Sequence, residues 1–378
     1  MKKLILLMTV LCCAASLLFA AGGRDQDAVP IGLIFPLSGR VAHFGNESRD
    51  GALLAIEEIN AAGGLLGRQL RAISEDDEGI AERTINAFTR LTTRDNVRFV
   101  VGSSTSGATL GITNLAQQRG VLLISPSATN IAVTNAGDYI FRACFIDPFQ
   151  GVVGAQFAFN YLGARRAAVL YDAATDYNTG LAEAFRANFQ RLGGQIVSYE
   201  AYQQGDVDFN AQITRIRTAN PDVVYLPNYY QDLSLQVRQL RAQGVNTPLV
   251  GGDGWDGLID HIGDEALNSF WSAGFAADTT ERRGVTFVRA FQARFNRPAT
   301  QFAALGYDAM MLVADAIRSA NSFDPSLVKV ALANSDGYHV TGRIRFDQNR
   351  NPIKSAAIME IVRRDGRLVN VFKTSVDP

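Results

Sequence analysis

The chain has 378 residues, 47% of them hydrophobic, and its 36 basic and 37 acidic side chains leave a formal net charge of -1. That length and apolar content can supply two buried cores. Charge this balanced and this evenly spread excludes the electrostatic footprint of a nucleic-acid or anionic-lipid binder, so a small-molecule partner is the default.

The first predicted element is a leader. Lys2 and Lys3 precede an apolar run from Leu4 to Leu18 that ends in Ala20, Ala21, Gly22 and Gly23, the pattern of a secretory signal peptide, here residues 1–22. The run is too short for a membrane span, and no later segment approaches the roughly 20 apolar residues a span requires. The mature protein is therefore expected to be periplasmic or otherwise extracytoplasmic after signal cleavage. Lipid anchoring through Cys12 or Cys13 is disfavoured, because Leu11 and Cys12 stand where a small residue usually precedes such a cysteine. Cys144 is then alone in the mature chain without a disulfide partner, and stability must come from packed cores.

Residues 30–35, 70–76, 97–102 and 121–125 read as short buried strands, separated by stretches with helical apolar spacing such as Ala52, Leu53, Ile56 and Ile59. This alternation predicts a parallel sheet. The pattern restarts with strands at 166–171, 195–200, 222–226 and 247–251 and with helices marked by Leu181, Ala184, Phe185 and Phe189 and by Leu233, Val237 and Leu240. After Ala277 come two helical stretches and three strand-like pieces, 340–346, 356–363 and 369–373. The expected fold is α/β: two doubly wound parallel-sheet lobes joined by a multi-crossover hinge. Lobe one takes 29–146 plus 278–343, and lobe two takes 147–277 plus 344–374. Such a hinge suits closure around a ligand.

Ligands of open parallel sheets bind beyond the carboxyl ends of the strands. The residues there are polar in lobe one (36–46, 102–107, 125–130) and aromatic with a carboxylate in lobe two (172–180, 227–232, 251–257). Ser103, Ser104, Thr105 and Ser106 fall at a strand end before a helix, where free N–H groups and the helix dipole favour an anion; the same hydroxyls could merely cap that helix. Ser127 and Thr129 follow the next strand and point to the same place. Asp253, between Gly252 and Gly254, could meet an ammonium group or be a turn aspartate. Phe44, Tyr177, Tyr229, Trp255 and Phe302 could form apolar walls, or ordinary core. An anion cradle opposite a carboxylate matches the two ends of a zwitterion.

Enzyme chemistry finds no support. There is no Gly-x-Ser-x-Gly elbow, no His-Glu-x-x-His helix and no phosphate-loop pattern. His43, His261 and His339 are isolated, and the acidic run Glu75 to Glu78 lacks the spacing of a calcium loop.

Taken in order and spacing, 36–46 (PLSGRVAHFGN) with Gly51 and Ala52, 57–64 (EEINAAGG), 101–107 (VGSSTSG), 125–129 (SPSAT) and 251–256 (GGDGWD) resemble the type I periplasmic solute-binding proteins of branched-chain amino acid (Leu/Ile/Val) ABC importers, over nearly the whole mature chain. The resemblance implies a Venus-flytrap fold, no cofactor, no metal, a monomer, an amino acid ligand and a membrane permease as partner. It also implies that Ser106 and Thr129 bind the α-carboxylate and that the Ser127 backbone accepts from the ammonium. Asp253 would pair with that ammonium, inside a wall of Tyr177, Tyr229, Phe302 and Phe44. Phe44 stands where tyrosine is common and Asp253 where some relatives have glutamate; the disulfide of some members is absent, with Asp77 and Thr105 in its region. Trp255 follows a pattern of broader amino-acid binders. Urea, short amides or nucleoside-like ligands, and a receptor-linked sensor role, stay open.

Overall fold

Residues 28–378 are described by the computed structural model; the leader reading for 1–22, with Cys12 and Cys13, lies outside them. Among the described residues no helix is long and apolar enough to cross a membrane.

In chain order the first lobe contributes β1 (Val29–Phe35), α1 (Ala42–Ala61), β2 (Leu70–Asp76), α2 (Ala81–Thr93), β3 (Phe99–Gly102), α3 (Ser106–Arg119), β4 (Leu122–Ser125) and β5 (Ile140–Arg142). The second contributes α4 (Asp147–Gln156), β6 (Arg166–Asp172), α5 (Asp176–Arg191), β7 (Gln195–Tyr202), α6 (Asn210–Ala219), β8 (Val223–Leu226), α7 (Tyr230–Ala242), β9 (Leu249–Gly251) and β10 (Ser269–Ala273). The chain then forms α8 (Arg282–Phe295), α9 (Gln301–Ala320), α10 (Pro325–Ala333), β11 (Asp336–His339), β12 (Gly342–Phe346), β13 (Pro352–Ile353), β14 (Ala356–Arg364) and β15 (Arg367–Val376).

The first sheet has the order β2-β1-β3-β4-β5, with every pairing parallel. The second runs β15-β14-β10-β9-β8-β6-β7. Its five parallel strands repeat the order of the first sheet, and β14 and β15 add on antiparallel. Each lobe is therefore doubly wound. The order reverses beside β1 in one lobe and beside β6 in the other, so the crevices where ligands bind in such sheets open between β1 and β3 and between β6 and β8.

Three differences from the sequence reading have physical causes. The fifth parallel strand of each lobe, β5 and β10, escaped it: β5 is three residues long and carries Arg142, and β10 (SFWSA) shows neither a continuous apolar run nor clean alternation. The piece expected at 340–346 begins with a turn at 340–341 and is shortened to β12, which pairs antiparallel across that turn with β11, a strand the sequence reading lacked. Ile344 and Phe346 of β12 bury in the first-lobe core with Ile31, Leu33 and Val313, so the chain returns to the second sheet only at β14.

The two lobes are linked by three crossovers, between β5 and α4, between β10 and α8, and between β13 and β14. The fully buried Lys354 ammonium in the third donates to the Ala143 carbonyl in the first at 3.4 Å and to the Thr341 hydroxyl.

Helices α1 and α9 cross with their backbones nearly touching. A Cβ on Gly51 would lie 1.9 Å from the Ala303 carbonyl oxygen, and one on Gly306 would lie 2.1 Å from that of Ser48. Only glycine allows this approach. It places the start of α9, with Gln301 and Phe302, against Phe44 at the start of α1.

Candidate functional site

Strands β3 and β4 end in loops that are sewn to each other. The Ser125 hydroxyl donates to the Ser103 carbonyl at 2.6 Å, and the Ser127 hydroxyl donates to the Ser104 carbonyl at 2.8 Å. Ser106 Oγ accepts the Asn130 N–H at 3.2 Å. The Thr105 side chain makes no capping hydrogen bond to α3, although Thr105 occupies the cap position, and its buried hydroxyl finds no partner among the described residues. For Thr105, helix capping does not account for the hydroxyl. A buried, unpartnered donor beside the first N–H groups of a 14-residue helix is suited to an anion.

Across the cleft, Asp253 follows β9 and is 4% exposed. Its Oδ1 accepts from Gln150 Nε2 at 2.9 Å and from the Tyr177 hydroxyl at 2.9 Å. The Tyr177 oxygen in turn accepts the Gly254 N–H at 3.1 Å. Burial raises the Asp253 carboxyl to about 6, against the opposing pull of Gln150 and Tyr177. A buried carboxylate of this kind gains most from a cationic partner that reaches it in the cleft. Gly252 is required beside it: a Cβ there would come within 2.5 Å of the Tyr177 hydroxyl and 2.6 Å of Gln150 Oε1.

Four aromatic rings close the space between cradle and carboxylate. Phe44 stacks on Phe302 with centroids 4.3 Å apart and meets Tyr229 edge-on at 5.5 Å, and Tyr229 stacks on Tyr177 at 4.9 Å. Together with Ser104, Ser106, Ser127, Asp253 and Gly254 they enclose a cavity of about 10 Å³, space for about one water. A larger chamber of about 320 Å³, lined in part by Thr105, Tyr177 and Tyr229 and rimmed by Arg40 and Asp232, opens beside it. With the lobes this close, entry of an amino-acid-sized molecule requires them to part.

Seven of the sequence-predicted residues thus meet at one cavity: Phe44, Ser106, Ser127, Tyr177, Tyr229, Asp253 and Phe302. Thr105 faces the adjoining chamber. Thr129 is fully buried, lines neither the cavity nor the chamber, and its hydroxyl finds no partner among the described residues; its carbonyl accepts at 3.0 Å the N–H of Asp147, whose carboxyl is raised to about 8 by burial. Trp255 does not reach the cavity. Its indole N–H donates to the Leu226 carbonyl at 2.8 Å within the second-lobe core, which it shares with Val224 and Leu258.

The periplasmic binding protein family model matches residues 28–367. The chain belongs to the periplasmic binding protein family. Members of this family work outside the cytoplasm. A leucine-, isoleucine-, valine-, threonine- and alanine-binding protein of Pseudomonas aeruginosa is 31% identical over 332 residues, covering 87% of this chain and 88% of the relative. The branched-chain amino acid transporter substrate-binding protein LivJ of Streptococcus pneumoniae, solved with isoleucine, is 34% identical with a TM-score of 0.85, covering 93% of this chain and all of that one. The leucine-binding protein LivK of Thermotoga maritima is 30% identical with a TM-score of 0.87, covering 93% of this chain and 99% of that one. The two-lobed, doubly wound architecture read from the sequence is that of these structures.

Several residues that shape the cleft escaped sequence reasoning. Gln150 and Gln301 carry no local signal; each meets Asp253 from far along the chain, 103 and 48 positions away. His43, read as isolated, meets Asp256 of the other lobe at 3.1 Å. Burial lowers its affinity for a proton, but the hydrogen bond and charge of Asp256 outweigh this and the net direction is up. Arg40 pairs with Asp232, and Asn130 donates to the Asp176 carbonyl at 2.8 Å, so polar contacts cross the cleft on several sides. The acidic run is structural: Asp76 accepts the Leu37 N–H at 2.8 Å, and Glu75 pairs with Arg90 at 2.5 Å. Among the described residues no His, Cys, Asp and Glu cluster could hold a metal ion.

Proposed function

We propose that this chain is the extracytoplasmic substrate-binding component of an ABC importer. It holds one free amino acid, branched-chain or a related aliphatic, between its lobes and presents the closed form to a membrane permease. The reading rests on one juxtaposition: a buried carboxylate in one lobe, Asp253, faces a cradle of hydroxyls and helix N–H groups in the other across an aromatic-walled cavity. In this reading Ser106 and Thr129 bind the α-carboxylate, with Thr105 at the entrance. Asp253 and the Ser127 backbone take the ammonium, and Phe44, Tyr177, Tyr229 and Phe302 pack on the side chain. Trp255 supports the Asp253 loop from behind. Closure is favoured because the ligand touches both lobes at once. The protein acts as a monomer after loss of the leader at 1–22, and no catalytic step is assigned to it.

Calorimetric titration of the mature protein with leucine, isoleucine, valine, alanine, urea and acetamide tests this. Saturable binding of at least one amino acid, lost in D253A, is the expected result. Binding of urea or acetamide with no response to any amino acid would overturn the ligand, because a buried carboxylate gains little from an uncharged amide.

A further inference from the structure

One side chain touches the hinge and the ligand loop together. Gln301 is the first residue of α9, and α9 packs on α1 in the first lobe through Ala309, Leu312, Val313 and Ala316. Its Oε1 accepts the N–H of Gly274, the first residue after β10, at 2.8 Å. Its Nε2 donates to the carbonyl of Asp253 in the second lobe at 2.9 Å. The amide is 3% exposed, and its neighbour Phe302 forms a wall of the cavity. The Asp253 carbonyl already accepts one N–H, from Asp256 at 3.2 Å, so its geometry does not depend on Gln301 for satisfaction.

The two ends of the amide hold different segments of the chain. Gly274 begins the crossover between β10 and α8, whereas Asp253 lies on the loop after β9 that lines the cavity.

We infer that the bond to Gly274 in the crossover holds as the lobes part while the bond to Asp253 breaks, so that Gln301 is a positioning residue that clips the Asp253 loop onto the hinge only in the closed state, slowing ligand release and aligning the ammonium-binding carboxylate without touching the ligand. This rests on the hinge-closure reading above. It differs from a plain helix-start role, because it assigns the two halves of one amide to separate states of the protein.

The two halves can be separated by substitution. Q301M removes both hydrogen bonds. Q301E keeps the acceptor for Gly274 but donates to Asp253 only when its carboxyl is protonated. Stopped-flow release of a bound amino acid should quicken about tenfold in Q301M at every pH. In Q301E it should quicken about as much at pH 8 and return to within about threefold of the wild type at pH 5. Rates are taken as ratios to the wild type at each pH, which removes the titration of Asp253 itself. Spin labels on E82C and V207C, exposed positions in the first and second lobes, report closure; the buried Cys144 does not take up label. At saturating ligand both variants should show a smaller closed fraction at pH 8.

Release from Q301M at the wild-type rate would overturn the clip. So would a Q301E variant that behaves identically at pH 5 and pH 8. A wild type that binds no amino acid would count against the ligand reading instead, and the clip would then stand or fall on whether Q301M lowers the closed fraction of the ligand-free labelled pair. Should Q301M fail to fold, the pH contrast within Q301E decides alone.

Discussion

The Tyr177 hydroxyl donates to Asp253 Oδ1 at 2.9 Å and accepts the Gly254 N–H at 3.1 Å, so one phenol fixes both the carboxylate and the backbone beside it. Y177F removes that oxygen and leaves the ring stacked on Tyr229. Ligand affinity should fall by about 1.5–3 kcal/mol, the usual cost of losing a hydrogen bond to a charged group. Titration calorimetry checks this, with far-ultraviolet circular dichroism unchanged. An unaltered dissociation constant would mean that Gln150 alone orients the acid.

The buried charge of Asp253 sets a pH dependence with a definite sign. Its folded-state value, raised to about 6 by burial, exceeds the ordinary carboxylate value of 3.8. For a carboxyl raised on folding, the ionised form is disfavoured. The penalty is absent below about 4, grows up to about 6, and is complete above that, where it amounts to roughly 3 kcal/mol in the ligand-free protein. D253N should therefore raise ligand-free thermal stability at pH 7 while abolishing amino-acid binding. Wild-type affinity should fall as pH drops below about 6, because the ammonium loses its counter-charge. Melting curves and titrations between pH 4.5 and 7.5 test both halves, and an affinity flat across that range would remove Asp253 from the ammonium site.

Ser106 discriminates a ligand contact from internal architecture. Its Oγ accepts the Asn130 N–H at 3.2 Å, a long hydrogen bond that leaves the hydroxyl proton to donate elsewhere. S106A should weaken amino-acid binding by about 1.5–3 kcal/mol if that proton meets the ligand carboxylate. A change below about 0.5 kcal/mol would restrict Ser106 to holding Asn130.

G252A tests the crowding behind the carboxylate. The added methyl falls 2.5 Å from the Tyr177 oxygen and 2.6 Å from Gln150 Oε1, so both donors to Asp253 must shift. The backbone of Gly252 is extended, with φ of -101°, which any residue can adopt, so the fold should survive with the loss concentrated in binding. Circular dichroism of native shape together with at least tenfold weaker affinity is the expected pair of results; native affinity would show that the two donors can retreat without consequence.

Much of this protein is legible along the chain. Alternation of short apolar runs with helical spacing determined two parallel α/β lobes, because period and length are local properties. Strand ends rich in Ser and Thr in one lobe and in Tyr, Trp and Asp in the other marked the cleft, because ligands of such sheets sit beyond their carboxyl ends. The tertiary structure decided the rest. A three-residue strand containing a fully buried arginine, which donates to the Ala128 carbonyl at 2.6 Å, has no periodicity to read. Trp255 looked like a wall and became core because its indole N–H found Leu226. Gln150 and Gln301 acquire roles only when folding brings them to Asp253, from 103 and 48 positions away. Sequence determines which residues prefer to be buried and in which element; which buried polar groups satisfy one another is a long-range matter of packing, and it is those pairings that shape the site.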